Sequence, residues 1–479
     1  MLFNSLNFLI FFPLVTLIYF LLPHKYRWVH LLLSSCIFYM TFKAIYILIL
    51  FFTIVIDYFA GIYIEKAKSI ETKKQLLLMS LIANIGVLAI FKYYNFLNGN
   101  LSGIMSWFGY TNQIPYLAIL LPIGLSFHTF QAMSYTIEVY KGRQMAEKHF
   151  GIYALYVMFY PQLVAGPIER PQNMLHQFKE RHYFNMQNLL NGLRLMLWGF
   201  FKKIVIADRL SIYVNAVYNH PNHYHYLNLT IATLFFAIQI YCDFSGYSDI
   251  AIGAAKTMNY DLMINFERPY FSKNIQEFWK RWHISLSTWF KDYVYISLGG
   301  NKVSKKRMFI NIGIVFLISG LWHGANSTFI VWGALHAFFM ASFIYYREYF
   351  KIKLPENLLF NSISILFTFC LVTFAWIFFR ANNISSALLI VDHIFNFYHT
   401  NDFNFVVKDL SNQHEFGYAS AFFSVIMILI MLLIEKKLKP DLTNINHCHI
   451  LDILFCSTII SLIIIFGVFQ NSSFIYFQF

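Results

Sequence analysis

Charge is what this chain of 479 residues has least of. Only 12% of its residues are Asp, Glu, Lys or Arg, against roughly 25% in soluble domains. That shortage excludes an ordinary water-soluble fold. Cysteine is scarce as well. Cys36, Cys242, Cys370, Cys448 and Cys456 are scattered and form no CxxC pair, so the spacing supports neither a disulfide framework nor a thiolate zinc site. Tandem repeats and low-complexity tracts are absent. The longest hydrophilic stretch is too short to bury a core of its own, which excludes an appended soluble domain.

Apolar residues fill the space left by charge. The chain is 58% hydrophobic, its mean hydropathy is +0.53, and apolar runs near twenty residues recur from end to end. Such runs match the length needed to cross about 30 Å of hydrocarbon. The first run, about residues 8–22, lacks a basic leader and a small-residue cleavage site, so it reads as a retained helix rather than a signal peptide. The expectation is an all-α, polytopic integral membrane protein, a single membrane-embedded domain over 1–479 with roughly ten to twelve spans.

Lysine and arginine gather in particular loops, and such clusters mark the cytoplasmic side. They occur at His24–Arg27, Lys66–Lys74, Lys141–Lys148, Arg170–Arg181, Lys202–Arg209, Arg268–Arg281, Lys302–Arg307, Arg347–Lys353 and Lys436–Lys439. Between them lie stretches nearly free of both residues: Asn98–Gln113, Ser211–Asn228 and Ala381–Glu415. The alternation predicts a turn near Thr41–Ala44. It places 259–307 inside, and 98–113 and 211–228 outside. The net charge of +13 follows from this rule and from attraction to anionic lipid. No nucleic-acid partner is needed to explain it.

Two stretches break the simple thread. Gly151–Val164 is too short to span, and Pro161, Pro167 and Pro171 interrupt it and its sequel. A re-entrant or interfacial element is expected there, tolerated where protein or water satisfies its backbone. Phe271–Tyr295 mixes aromatics with Lys280, Arg281, Lys291 and Asp292, as interfacial helices or helices entering a polar cavity do.

Residues 278–301 read FWKRWHISLSTWFKDYVYISLGGN, and Gly320-Leu321-Trp322-His323-Gly324-Ala325 follows. His323 is an ionisable group inside an apolar run, which makes it a candidate for function. Burial disfavours the charged form of an imidazole, so a buried histidine can take a proton from a hydroxyl. The flanking glycines let a substrate or another backbone come close. The competing reading is a histidine hydrogen-bonded to a neighbouring helix. No HExxH or similar ligand spacing lies near it, so a general base is favoured over a metal ligand. His283, after Trp282, is the second candidate. Arg281 and Lys280 beside it could pair with phosphates or a carboxylate, or simply mark the interface. Asp243 and Asp249, within Tyr241-Cys242-Asp243-Phe244-Ser245-Gly246-Tyr247-Ser248-Asp249, are acids in an apolar run and need partners. They are expected to hold basic residues of the interfacial stretch or to orient a histidine. Glu169 and Arg170 could form a similar local pair, and His128 reads as a core polar group. The pairs His223/His225 and His447/His449 read as solvated loop residues.

These motifs, together with LPIGLSFHTFQAMSYTIEVYKG (121–142), FYPQLVAGPIERP (159–171), WIFFRA (376–381) and the last six residues, resemble the membrane-bound O-acyltransferase family. The Leu298-Gly299-Gly300-Asn301 and Ser245–Asp249 motifs are similar to its alginate O-acetyltransferase branch; the teichoic-acid D-alanyl transferase branch looks similar around both histidines. His128 is a departure, at a position where many relatives are expected to carry tyrosine. The resemblance implies tilted helices with re-entrant and interfacial elements around a central funnel or tunnel. It maps the family's invariant histidine to His323 and a second, more variable polar position to His283. It implies transfer of an acetyl group from a cytoplasmic thioester, acetyl-CoA or another acyl thioester, with no bound cofactor or metal. The acceptor would be an exported or cell-wall polysaccharide, alginate-like, peptidoglycan or other. Arg281, Lys280, Trp282, Trp322 and Asp243 are the substrate-binding candidates. An extracytoplasmic acetyltransferase- or esterase-like partner and a bacterial inner-membrane location are implied too. A D-alanyl transferase and a proton-coupled transporter are the alternatives.

Overall fold

The structure is a computed structural model that describes residues 1–117, 122–350, 357–396, 417–437, 450–469 and 474–475. His447, His449 and Tyr476–Phe479 lie outside the described residues. Helix is the only regular structure among those described. Six helical stretches among them are long and apolar enough to cross a membrane: His24–Lys66, Ile70–Trp107, Tyr226–Thr257, Ser327–Phe350, Leu358–Arg380 and Ala419–Lys436. The first is interrupted by a 3-10 turn at Ala44–Tyr46, with Lys43 extended before it. The turn expected near Thr41–Ala44 is there. Backbone contacts divide the chain into two compact units, Met1–Met196 with Ile250–Met263, and Leu197–Asp249 with Ile264–Phe479.

In the first unit, helices Ile47–Lys66, Ile70–Leu88 and Leu125–Tyr140 pack together. Their shared core is not wholly apolar. Asp57 is fully buried and accepts from Ser80 Oγ at 2.6 Å and Asn84 Nδ2 at 2.9 Å, which is how a buried carboxyl avoids an unmet desolvation cost. His128 lies 2.6 Å from Thr53 Oγ1, in the core as the sequence suggested. Gly151–Glu169 is buried throughout and holds two short helices, Phe150–Met158 and Tyr160–Leu163. Side chains satisfy part of its irregular backbone. Gln131 and Gln162 both donate to the Tyr156 carbonyl, and the Tyr156 hydroxyl donates to that of Glu169. Protein groups thus satisfy backbone that the short helices leave open, as either a re-entrant or an interfacial element requires. The Glu169 carboxylate accepts from Asn173 Nδ2 and from the Met263 N–H.

In the second unit one departure from expectation stands out. Lys202–Arg209 is not a cytoplasmic loop. Helix Met186–Phe200 runs on through a π-helical stretch, Phe201–Ala207, into Asp208–Asn219. Lys202 and Lys203 are buried within it. Lys203 pairs with Asp243 at 2.5 Å and with Asp208 at 2.8 Å, and Lys202 pairs with Asp249 at 2.6 Å. The acids of helix Tyr226–Thr257 therefore find their partners here, not in the interfacial stretch. Gly246 permits the contact: a Cβ there would stand 2.7 Å from the Gly199 carbonyl oxygen. Helices Lys305–His323 and Ser327–Phe350 form a tight hairpin. Added Cβ atoms would lie 2.3 Å from the Phe329 oxygen at Gly320 and 2.4 Å from the Phe316 oxygen at Gly333. Gly320, one turn before His323, serves backbone approach between these helices, while Gly324 makes room for the Phe329 ring.

Candidate active site

His323 is the last residue of helix Lys305–His323. Ser304 starts that helix by accepting from the Arg307 N–H. The chain then turns at once into the next helix, which fixes the imidazole at the tip of the hairpin. It is 4% exposed. Rings enclose it: Trp322 at 4.9 Å, Trp332 at 5.0 Å and Phe379 at 5.2 Å between centroids, all edge-on.

His283 arrives from a different direction. Helix Ile275–Arg281, capped by Asn274 accepting from the Glu277 N–H, ends at Trp282. Helix Ile284–Phe290 begins directly after His283. The junction forces His283 to φ +43, a left-handed conformation that few non-glycine residues adopt. Such strain persists where the surroundings over-determine it, and it concentrates at functional sites. Here Asn265 supplies the determination. Its Oδ1 accepts from Ser285 N–H and Oγ–H and lies 3.0 Å from His283 Nδ1. Its amide donates to Ser248 Oγ at 3.2 Å, which assigns its orientation. The Nδ1 of His283 therefore carries the proton, and Nε2 is the lone-pair nitrogen. Burial pushes this imidazole down from its ordinary 6.5 to about 3, so it is neutral at physiological pH.

Trp322 stands between the two histidines, 6.2 Å from the His283 ring and 4.9 Å from that of His323. Trp282 packs at a tilt against Trp376 at 5.1 Å, and Trp376 stacks on Trp332 at 5.8 Å. The structure thus brings His283, His323, Trp282 and Trp322 into one aromatic cage. Asp243 reaches its edge indirectly: it accepts from the Ile475 N–H at 2.8 Å, next to Phe474, and Phe474 and His283 both pack on Phe244. Arg281 is turned away into a pair with Glu277 at 2.6 Å, and Lys280 is exposed. Among the described contacts neither touches the cage.

His336 escaped the sequence reading. It is fully buried on helix Ser327–Phe350, accepts from Trp279 Nε1 at 3.3 Å through Nδ1, and packs against Trp332 at 4.9 Å. Its neighbours in sequence are Leu335 and Ala337, and nothing local marks it. Its only signal was an ionisable residue in an apolar run.

A buried aromatic cage holding imidazoles suits proton transfer to and from a hydroxyl. Known proteins point the same way. The model of the MBOAT, membrane-bound O-acyltransferase family matches residues 143–388. A peptidoglycan O-acetyltransferase of Helicobacter pylori is 32% identical, over 94% of this chain and 91% of the relative. A probable alginate O-acetylase, AlgI, of Pseudomonas aeruginosa is 37% identical over 83% and 75%. A teichoic acid D-alanyltransferase of Bacillus subtilis is 29% identical over 54% and 68%. The chain belongs to the membrane-bound O-acyltransferase family. It is a multi-pass membrane acyltransferase, and the transporter alternative is left without support.

Proposed function

We propose that this protein transfers an acetyl group from a thioester donor to a hydroxyl of an exported or cell-wall polysaccharide, at the bacterial inner membrane. The observation that carries the reading is His323, held by three aromatic rings at the tip of a glycine-packed hairpin. His323 takes the proton of the attacking hydroxyl. The oxygen bonds to the acetyl carbonyl carbon, the carbon–sulfur bond breaks, and the imidazolium returns the proton to the departing thiolate. His283, with Nδ1 fixed by Asn265, positions donor or acceptor from the other side of Trp322. The O-acetyl relatives match far more of the chain than the D-alanyl relative does, which favours acetyl as the group moved. An extracytoplasmic partner that receives or finishes the transfer belongs to the same reading.

The test uses membranes holding the full chain, radiolabelled acetyl thioester and the cell's own surface polymer. His323→Ala should cut label transfer by about 10²–10⁴-fold, the usual worth of a positioned acid–base group, while the protein still inserts and melts normally. Near-normal ester content in that variant would remove His323 from the chemistry.

A further inference from the structure

A second site lies one ring beyond His323. Asn215, Asn219, Ala325, Asn326, Phe329, Arg380, Ala381 and Asn382 line a cavity of ≈ 530 Å³, within the about 300–1,000 Å³ of small-molecule sites. Ala325 is two residues past His323. The Phe379 ring bridges the rest, touching His323 at 5.2 Å and Phe329 at 4.9 Å, and Arg380 follows it in the chain. All three stretches that build this cavity, 215–219, 325–329 and 380–382, fall where the lysine and arginine pattern puts the outer side of the membrane.

The lining has a definite chemistry. Arg380 is 7% exposed. Its Nη2 donates to Asn215 Oδ1 at 2.8 Å and to Asn219 Oδ1 at 3.5 Å, and its guanidinium lies 5.5 Å over the Tyr218 ring. These contacts fix the plane of the guanidinium. No ion pair of Arg380 with a carboxylate occurs among the described residues. A guanidinium has five N–H donors in a planar fork that matches a carboxylate in two-point contact. Asn326 and Asn382 complete the polar lining. The Asn326 amide donates to the Asn382 carbonyl and accepts from the Thr328 N–H, so it shapes the rim, while the amides of Asn215, Asn219 and Asn382 can both donate and accept, as vicinal hydroxyls require. Phe329 adds one apolar face. A single positive charge, flanking amides and an aromatic wall fit a sugar ring bearing one carboxylate.

We propose that this cavity is the acceptor subsite, and that it binds a carboxylated saccharide unit whose hydroxyl then faces His323. The proposal rests on the acyl-transfer reading for its purpose, but direct binding tests it separately. The probes are a hexameric oligouronate, the same oligosaccharide with its carboxyls reduced to alcohols, and an N-acetylglucosaminyl–N-acetylmuramic acid disaccharide. Binding is measured by calorimetry to the full chain in lipid nanodiscs, in a His323→Ala background where no acyl group moves. At least one carboxylated probe should bind about tenfold more tightly than the reduced one, the scale of a charge-assisted pair. Whichever carboxylated probe wins identifies the source of the carboxylate. Arg380→Gln should remove that preference. So should Asn382→Trp, which fills the cavity from its exposed rim and remains decisive if Arg380→Gln does not fold. Equal binding of carboxylated and reduced probes, no binding of any, or a preference that survives in either folded variant would overturn the proposal. Loss of acetyl transfer alone would bear on His323 and leave this subsite standing.

Discussion

Two regions of the second unit bury polar side chains, and they do so in opposite ways. Around Lys202 and Lys203 the charges are dense and paired, with two lysines holding Asp208, Asp243 and Asp249 in direct ion pairs and Tyr241 donating to Glu435 at 2.8 Å. Around His323 and His283 there is almost no formal charge, and aromatic rings together with a neutral amide, Asn265, line the imidazoles. Paired charges deep in a protein offset one another's desolvation, and each is committed to its partner. An imidazole held neutral by burial, as His283 is, keeps a lone pair for a proton. Burial of a polar residue therefore does not identify chemistry by itself; the manner of its compensation does. The ion-pair cluster holds helices Asp208–Asn219 and Tyr226–Thr257 against the π-helical stretch, while the cage is the proposed site of chemistry.

The comparison can be broken most forcefully at Lys203. Replacing it by methionine leaves Asp208 and Asp243 without their shared cation, and removing one side of a buried pair costs about 3–5 kcal/mol. Lys203→Met is expected to yield little monodisperse protein in detergent and a strongly lowered melting temperature. His323→Ala should leave both intact. If Lys203→Met melts like the parent and loses only turnover, the cluster belongs to the chemistry and the division drawn above is wrong.

The next effect is within the cage. His283→Asn keeps a residue that tolerates the left-handed backbone and removes the Nε2 lone pair. Turnover should fall by about one to two orders of magnitude, below the loss at His323. Combined with His323→Ala, it should cost little more, because residues that act as a unit are not additive. Rate factors that multiply in the double variant would mean two independent sites.

A smaller effect is expected in the pH dependence of stability. Burial lowers His283 from 6.5 to about 3. As pH falls through about 6.5 the unfolded chain binds a proton there and the folded chain does not, so stability falls with pH until the folded value is reached. His283→Asn should therefore lose less melting temperature than the parent between about pH 7 and pH 5. Identical slopes would show that this imidazole is hydrated and titrates normally.

Sequence made the cage half visible. Trp-His in an apolar run drew attention to His323 and His283, and Asp243 and Asp249 were legible as acids in need of partners. The partners were not. Lys202 and Lys203 belong to the basic cluster Lys202–Arg209, so they read as a cytoplasmic flank of the membrane. What turns them inward is a seven-residue π-helical stretch, Phe201–Ala207, and no helical periodicity in the residues announces that change. His336 stayed hidden because its partner Trp279 lies 57 residues away in sequence. Arg380 appeared only as part of a family motif. Its amide neighbours Asn215 and Asn219 come from a helix 165 and 161 residues earlier. Local pattern reveals which residues are out of place in an apolar chain; tertiary contact decides what compensates them.

The mildest test concerns His336, which sits between the two regimes. It is an imidazole in the cage, yet it has a defined hydrogen-bond donor in Trp279. If it is scaffold rather than machinery, it should behave like the ion-pair cluster on a smaller scale. Trp279→Phe keeps an aromatic ring against Phe316 and Trp332, which now lie at 5.2 and 5.8 Å, and removes only the indole N–H and some volume. A neutral hydrogen bond is worth about 0.5–1.5 kcal/mol. The variant should lose stability on that scale and no more than about tenfold in turnover, with the donor KM unchanged. A loss of turnover approaching that of His323→Ala, at unchanged melting temperature, would move His336 from the scaffold into the reacting set. The cage would then hold three working imidazoles rather than two.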